Sequence, residues 1–191
     1  GADGLIVQGL EAGGHRGSAI NDDQPAYGLL SLLALVRAEL ALPLVAAGGI
    51  ATGGGVAAAL GAGAIAAQVG TAFLLCPEAG TAAVHRAAIA SGAPTAVTRA
   101  FTGKPGRGIV NRFMREYGDR APPAYPELHH VTAPIRAAAR KSGDPDLVNL
   151  WAGQTHELAR PEPAADVITR LMEETRAALD AAGRRLRTGA R

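Results

Sequence analysis

One stretch of the chain, residues 40–77, contains no charged residue, and this feature limits the possible folds most strongly. Within it, short apolar blocks at residues 44–47 and 64–69 alternate with Gly-rich turns and an alanine-rich segment. Strands that are buried on both faces of a sheet have this continuous apolar character. Strand–helix units that repeat with short turns predict an α/β fold, with a parallel sheet covered by helices.

A membrane span is the alternative for this stretch, and it would need ~20 consecutive apolar residues. Pro43, the Gly48-Gly49 pair and Gln68 interrupt every window of that length, so a membrane span is disfavoured. The net charge of +2 argues against a nucleic-acid partner. The single cysteine, Cys76, lies in an apolar run and is expected to pack in the core. One cysteine allows no intrachain disulfide and favours a reducing compartment, so we expect a cytoplasmic protein.

Strand-like and helix-like segments alternate along the chain. The predicted strands are residues 2–8, 44–47, 64–69 and 95–101. The predicted helices are residues 27–40, 52–60 with Thr52 as the cap, 78–90, 109–117, 131–141 and 164–187. Residues 103–108 are predicted to be a basic, Gly-rich loop. We expect one α/β unit over residues 1–94, an insertion or covering segment over 95–160, and a C-terminal helix with a basic tail, which includes Arg191, over 161–191.

The Gly-rich segment at residues 8–17 follows the first predicted strand and carries His15 among residues with very small side chains. Glycines permit close backbone approach. The segment therefore suggests a flat ligand lying on bare backbone, with His15 as the acid–base group beside it. The alternative is an ordinary Gly-rich loop in which the histidine is incidental.

Two glycine turns, Gly48-Gly49 and Gly70-Thr71, lie just after predicted strands and are separated by one helix–strand unit. In a β/α barrel, neighbouring loops of this kind bind phosphate through backbone N–H groups and a helix N-terminus. We therefore predict a phosphate clamp, with ordinary tight turns as the alternative. The turns lack the lysine of a nucleoside-triphosphatase loop and the spacing of the dinucleotide fingerprint.

Four segments together carry a resemblance to a known family. They are QGLEAGGHRGS at residues 8–18, LVAAGGI at 44–50, QVGTAFL at 68–74 and NLWAGQ at 149–154. With these segments in this order, the chain resembles the nitronate monooxygenases, formerly called 2-nitropropane dioxygenases. The related FMN-dependent enoyl-acyl-carrier-protein reductases share two of the motifs.

The resemblance implies an FMN-binding TIM-type (β/α)8 barrel without a metal. Such a barrel normally needs about 250 residues. The chain would carry only about the last three strand–helix units, in residues 1–94, plus C-terminal helices. We therefore expect it to need an N-terminal barrel half or an oligomer, because three parallel strands leave an exposed strand edge.

The resemblance also assigns roles to residues. His15 would be the catalytic base. The FMN-binding residues would be Gln8, Gly13, Gly14, Gly48, Gly49, Gln68, Val69, Gly70 and Thr71. Trp151 and Gln154 would help to close the cofactor pocket. Thr155 stands where the family usually has glycine, which leaves the geometry of this loop open.

The implied activity is flavin-dependent oxidation of nitronates or nitroalkanes with O2, which yields carbonyl compounds and nitrite. A histidine suits the removal of the substrate α-proton because its pKa lies near neutrality. The alternatives are an FMN-dependent enoyl reductase and an inactive flavin-, phosphate- or subunit-binding fragment. In each case neither nucleic acid nor a membrane is an expected partner.

The remaining histidines and basic residues are expected to have smaller roles. His85 is predicted to lie on a helix surface, and His156 is a candidate neighbour of the pocket. The His129-His130 pair lacks nearby carboxylates or cysteines at metal-ligand spacing, so a metal site is disfavoured. Three basic residues are expected to be solvated, although they could attract a substrate carboxylate: Arg99, Lys104 and Arg107.

Overall fold

The computed structural model describes residues 1–21 and 26–188. The strands are β1 Leu5–Gln8, β2 Gly14–His15, β3 Leu44–Ala47, β4 Ala66–Gln68, β5 Thr95–Thr98 and β6 Gly106–Ile109. The α-helices are α1 Leu29–Glu39, α2 Gly53–Gly61, α3 Ala83–Ala90, α4 Arg112–Tyr117, α5 Glu127–Ser142 and α6 Ala164–Thr188. Short 3-10 turns are formed by Thr71–Phe73, Pro77–Ala79, Gly118–Arg120, Pro145–Leu147 and His156–Leu158.

The predicted parallel sheet is present, with the strand order β1-β3-β4. Leu5 of β1 pairs with Leu44 of β3, and Val45 pairs with Ala66 of β4. Because parallel neighbours need crossover connections, α1 and α2 connect successive strands of this sheet. The buried residues of these elements form one core: Val7, Leu29, Leu33, Leu44, Ala46, Ile50, Ala59 and Ala64. The α/β fold class predicted from the uncharged stretch is confirmed.

The C-terminal helix α6 packs closely against α2. A Cβ atom on Gly53, the first residue of α2, would lie 2.2 Å from the Cβ of Glu174 and 2.3 Å from the backbone nitrogen of Thr175. The Gly53 N–H donates to Oε2 of Glu174 at 2.8 Å. The predicted Thr52 cap is confirmed, since its Oγ1 accepts from the Gly55 N–H at 3.2 Å. The absence of a side chain at Gly53 therefore sets how near the two helices approach.

A second sheet has the order β2-β6-β5 and is antiparallel. In it, His15 of β2 pairs with Gly106 of β6, and β6 pairs in turn with β5. The Phe101 and Phe113 rings stack beside this sheet with centroids 4.9 Å apart. The segment predicted as a covering layer after residue 94 is therefore hydrogen-bonded to the loop that carries His15.

The basic loop predicted over residues 103–108 is present only at residues 103–105; it is wrong for 106–108, because Gly106–Ile109 form the buried strand β6. A Cβ on Gly106 would lie 3.1 Å from Cδ2 of His15, and one on Gly108 would lie 2.8 Å from the Leu150 carbonyl oxygen. These glycines allow close packing of a strand, whereas their spacing in the sequence indicates a turn.

Several other predicted boundaries differ from the structure. The helix predicted over 78–90 is interrupted at Gly80, which has a φ of +62°, so that only Ala83–Ala90 is α-helical. The helix predicted over 109–117 begins at Arg112, because Asn111 caps it by accepting from the Met114 N–H at 3.1 Å. The helix predicted over 131–141 extends over Glu127–Ser142, with Pro134 inside it. The predicted strands 2–8, 64–69 and 95–101 are shorter at one or both ends.

Helix α6 has the predicted extent, but its apolar face is only partly buried. Val167 and Leu171 pack in a buried cluster with Cys76. Ile168, Met172 and Leu179 continue this apolar pattern at helical spacing but are exposed. Arg191 of the predicted basic tail lies outside the described residues. Within residues 1–21 and 26–188, no helix is long and apolar enough to cross a bilayer.

Candidate functional site

A cleft of about 140 Å³ lies at the carboxyl ends of β1, β3 and β4. The ends of parallel strands are where ligands bind in α/β folds. Its lining residues are Gln8, Ala12, Gly13, Ala47, Gly48, Gly49, Ile50, Gln68, Gly70, Thr71, Gly153 and Thr155. Small residues dominate this lining, so backbone atoms form much of its surface.

The turn after β3 depends on two glycines in the left-handed region. Gly48 has a φ of +119° and Gly49 a φ of +66°. A Cβ on Gly48 would lie 3.1 Å from the backbone nitrogen of Ala12, in the loop that leads to His15. Residues with side chains rarely adopt these conformations. The glycine pair therefore lets the chain turn sharply while it contacts the loop after β1.

The NLWAGQ segment forms another wall of the cleft. A Cβ on Gly13 would lie 2.6 Å from the Ala152 carbonyl carbon and from the Gly153 nitrogen. The Gly153 N–H donates to Oγ1 of Thr71 at 3.0 Å, which leaves the hydroxyl hydrogen of Thr71 available to a ligand. The Gln154 N–H donates to the Glu11 carbonyl at 3.0 Å. The NLWAGQ segment thus connects the loop after β1 to the turn after β4.

The N-terminus of α2 is already paired with a carboxylate. Glu174 from α6 accepts from the Gly53 N–H, where a negative charge is favourable for the helix dipole. An anion in the cleft would therefore meet the glycine turns and Thr71 rather than the first N–H group of α2. After β4, Thr71–Phe73 form a short 3-10 turn.

His15 lies on β2, beside the cleft, and Gln8 connects it to the cleft wall. The Gln8 side chain donates from Nε2 to the His15 carbonyl at 3.0 Å and accepts the Gly17 N–H on Oε1 at 2.6 Å. Gln8 therefore lines the cleft and fixes the His15 loop with a single side chain. Glu11 fixes the other end of this loop, because its carboxylate accepts from the Leu29 N–H at the start of α1, at 2.9 Å and 3.1 Å.

The His15 imidazole is enclosed by aromatic rings and a hydroxyl. Its ring centroid is 5.5 Å from that of Trp151 and 5.7 Å from that of Tyr125. Its Nε2 is 2.8 Å from Oγ1 of Thr102. Burial lowers the pKa of His15 below the ordinary 6.5, and the positive charge of Lys104 lowers it further. His15 is therefore mostly neutral near pH 7 and able to accept a proton.

The structure brings most of the predicted site residues together. Seven predicted cofactor residues line the cleft: Gln8, Gly13, Gly48, Gly49, Gln68, Gly70 and Thr71. Val69 instead packs in the apolar cores, and Gly14 pairs with Arg107 in the second sheet. Trp151 contacts His15, whereas the Gln154 side chain is exposed.

The sequence interpretation missed Thr102 and Tyr125 beside His15. They lie far along the chain in the segment predicted as a cover, so only the tertiary fold brings them to the histidine. Gly153 was also missed, although it lies inside the NLWAGQ segment and was therefore accessible to sequence inference.

Two other assignments need correction. His85, predicted to lie on the surface, is partly buried, and its Nε2 is hydrogen-bonded to the Trp151 carbonyl at 3.0 Å. Burial lowers the pKa of His85. Arg107, predicted to be solvated, is buried, and its Nε donates to the Leu10 carbonyl at 2.9 Å. These two side chains fix backbone segments that line the site.

The remaining candidate residues lie as follows. Lys104 donates to the Ser18 carbonyl at 3.2 Å and Arg99 to the Ala121 carbonyl at 3.2 Å. His156 is 2% exposed and is not among the cleft-lining residues, although Thr155 next to it is. In the described part of the chain, no group of three or more His, Cys, Asp or Glu side chains could hold a metal ion. Cys76 is buried as predicted, and burial raises the pKa of its thiol.

Comparison with known proteins identifies the family. The profile described as nitronate monooxygenase matches residues 1–174, so the chain belongs to the nitronate monooxygenase family. The family membership predicted from the four motifs is thereby confirmed.

Three relatives illustrate the similarity. A nitronate monooxygenase of Pseudomonas aeruginosa is 43% identical over 92% of this chain and 52% of its own length. A solved nitroalkane oxidase from Streptomyces ansochromogenes is 50% identical, with a TM-score of 0.91 over 95% of this chain and 54% of that one. FabK from Thermotoga maritima is 28% identical, with a TM-score of 0.78 over 95% of this chain and 57% of that one. The chain thus spans about half the length of the relatives it matches.

Proposed function

We propose that this chain is the C-terminal part of a flavin-dependent enzyme that oxidises nitronates or nitroalkanes with O2 to carbonyl compounds and nitrite. His15 is the base in this proposal. The observation that carries it is the enclosed, mostly neutral imidazole of His15 beside a cleft lined by backbone. Membership of the nitronate monooxygenase family supports the reaction class.

The proposed chemistry begins with the α-proton of a nitroalkane. A neutral His15 accepts this proton, and the electron pair of the broken C–H bond moves onto the nitro group to give the nitronate anion. The imidazolium that results attracts the anion. General-base catalysis by a positioned side chain contributes ~10²–10⁴ in rate. For a substrate that is already a nitronate, His15 serves only to position the anion.

The residues of the cleft fit an FMN phosphate and its attached chain. The left-handed Gly48-Gly49 turn and the open space beside Gly70 expose backbone, and Thr71 has a hydroxyl hydrogen available. When bound, FMN supplies the electron acceptor for the deprotonated substrate. At about 140 Å³ the cleft is smaller than the ~300 Å³ of typical ligand pockets, so these residues form only part of the site.

We also propose that the β1-β3-β4 sheet is the last part of a TIM-type barrel. Ile6 of β1 and Ile65, next to β4, are each 64% exposed at the two edges of this sheet. Unpaired edges with exposed aliphatic side chains normally have a covering partner. Further β/α units of an N-terminal half would supply strands for both edges.

The role of His15 is tested by His15→Asn in the whole protein. We expect turnover of a neutral nitroalkane to fall by ~10²–10⁴, since the base is lost. Oxidation of the preformed nitronate should fall much less, because it needs no proton removal. Initial rates with both substrate forms measure this. His130→Asn, on the exposed part of α5, is the control and should leave both rates unchanged. A normal rate on the neutral nitroalkane in His15→Asn contradicts the proposal.

The second candidate function is an FMN-dependent enoyl reductase, which the similarity to FabK favours. In that case the reaction would be the reduction of a thioester-conjugated alkene, and His15 would take part in it. Stopped-flow reduction of the bound flavin separates the two functions. Rapid reduction by NADH supports the reductase, whereas rapid reduction by a nitronate supports the monooxygenase.

A further inference from the structure

Thr102 lies between β5 and β6 and is 2% exposed. Its Oγ1 has three polar neighbours. These are Nε2 of His15 at 2.8 Å, the Lys104 carbonyl at 3.1 Å and the Lys104 N–H at 3.3 Å. A buried hydroxyl in such a position strongly restricts how its neighbours can place their hydrogens.

The directions of these three hydrogen bonds follow from the donor inventory. A carbonyl can only accept, so all three contacts are hydrogen bonds only when the single hydroxyl hydrogen of Thr102 points to the Lys104 carbonyl. The Lys104 N–H can only donate, so it points at the Thr102 oxygen. The remaining lone pair of that oxygen then accepts from His15, which requires a hydrogen on Nε2.

The surroundings of the imidazole ring agree with this assignment. The ring edge formed by Cδ2 and Nε2 faces the protein, since a Cβ on Gly106 would lie 3.1 Å from Cδ2 and Thr102 contacts Nε2. Nδ1 lies on the other side of the ring. The contacts with Thr102 and Gly106 therefore leave the Nδ1 edge of the ring as the one turned away from them.

We propose that Thr102 is a positioning residue that holds neutral His15 in the Nε2–H tautomer, so that Nδ1 is the atom that accepts the substrate proton. This inference rests on the proposed function of His15 as base. In the step, the substrate α-C–H bond breaks and an Nδ1–H bond forms, while the electron pair stays with the nitronate. The Nε2–H bond to Thr102 is the same before and after proton transfer, so the hydroxyl does not have to reorient.

The direct test is the tautomer of His15, measured by ¹⁵N NMR of the imidazole in the whole protein. We expect a protonated Nε2 and an unprotonated Nδ1 above the pKa of His15. The converse tautomer overturns the proposal. This measurement does not depend on turnover, so it remains informative even if His15→Asn shows that His15 is not the base.

The functional test compares Thr102→Val with Thr102→Ser. Valine preserves volume but removes the hydroxyl, so we expect the tautomers to mix. We also expect kcat for a neutral nitroalkane to fall by about 10-fold or more, because a wrong imidazole tautomer strongly impairs base catalysis. The rate on a preformed nitronate should change little. Serine keeps the hydroxyl and should restore both the tautomer and the rate.

Thr98→Val is the matched control. Thr98 is another buried threonine in the same segment, but its Oγ1 accepts from the Ala100 N–H at 3.0 Å rather than meeting His15. A fall in kcat with Thr98→Val equal to that with Thr102→Val would overturn the proposal, since both would then act through folding. An unchanged His15 tautomer in Thr102→Val would also overturn it.

Discussion

His15 illustrates how much of the proposed chemistry depends on single side chains. Gln8 holds its backbone, Thr102 contacts its ring nitrogen, and Trp151 and Tyr125 pack against the ring. Burial alone would lower the pKa of this histidine, and three basic neighbours lower it further: Lys104, His129 and Arg136. The site therefore favours the neutral imidazole, which is the form a base requires.

This environment predicts the pH dependence of the proposed activity. Because the pKa of His15 lies below 6.5, kcat/KM for a neutral nitroalkane should fall at low pH as His15 becomes protonated, and the midpoint of this fall should lie below pH 6.5. Lys104→Met removes one positive neighbour, so it should raise the pKa of His15 and move the fall to higher pH. A pH–rate profile of both proteins measures this. A midpoint above pH 6.5 in the unaltered protein would contradict the prediction.

At the scale of elements, the contact between α2 and α6 shows what the sequence could and could not predict. The alternation of apolar and Gly-rich segments predicted Leu44–Ala47 as a strand and Thr52 as a helix cap, because these depend on local chemistry. It could not predict that Gly53 lies against Glu174, since nothing local marks a tertiary contact between residues so far apart in sequence.

The same reason explains why the loop assignment is wrong for residues 106–108, which belong to β6. Glycine in a turn and glycine in a tightly packed strand look alike in sequence, and only the proximity of His15 and Leu150 distinguishes them. The two glycine turns that line the cleft were predictable because each follows its own strand directly. Thr102 was not, because it reaches His15 only through the pairing of β2 with β6.

Two adjacent glycines of α2 provide a matched test of this packing. Gly53→Ala should destabilise the protein by about 1–3 kcal/mol, since its Cβ would overlap Glu174 and backbone atoms of α6. Gly54→Ala meets only the Thr52 hydroxyl at 3.8 Å and should stabilise α2 by roughly 0.5–1 kcal/mol. Urea unfolding of both variants measures the difference. Equal effects would mean that the close contact does not determine stability.

At the scale of the whole molecule, the parallel sheet has two unpaired edges in the described structure. The matched relatives are about twice as long as this chain, which agrees with the proposal that further β/α units pair with these edges. The two sheets of the described part are small, and its apolar residues are divided among four separate clusters. A large share of the stability of the parallel sheet should therefore come from outside the chain.

Expression of the chain alone, and together with an N-terminal barrel half, tests this proposal. Alone, we expect the chain to self-associate, to melt over a broad range and to retain little flavin, because an apolar edge is exposed. With the additional half, we expect a sharp melting transition and a bound flavin. Light scattering, calorimetry and the flavin absorbance measure the three properties. A monomeric, cooperatively melting and flavin-loaded chain on its own would contradict the proposal.

The loop after β1 contributes to two structures that different sheets hold: the cleft and the His15 side chain. The cleft lies at the end of the parallel sheet, whereas the imidazole is held by the antiparallel sheet through β6. Changes in β5, β6 and the segment around Tyr125 would therefore alter access to the histidine while the glycine turns keep their conformation. If the proposed function holds, natural variation or protein engineering in this layer is a route to new substrate preferences without a change in the glycine turns proposed to bind FMN.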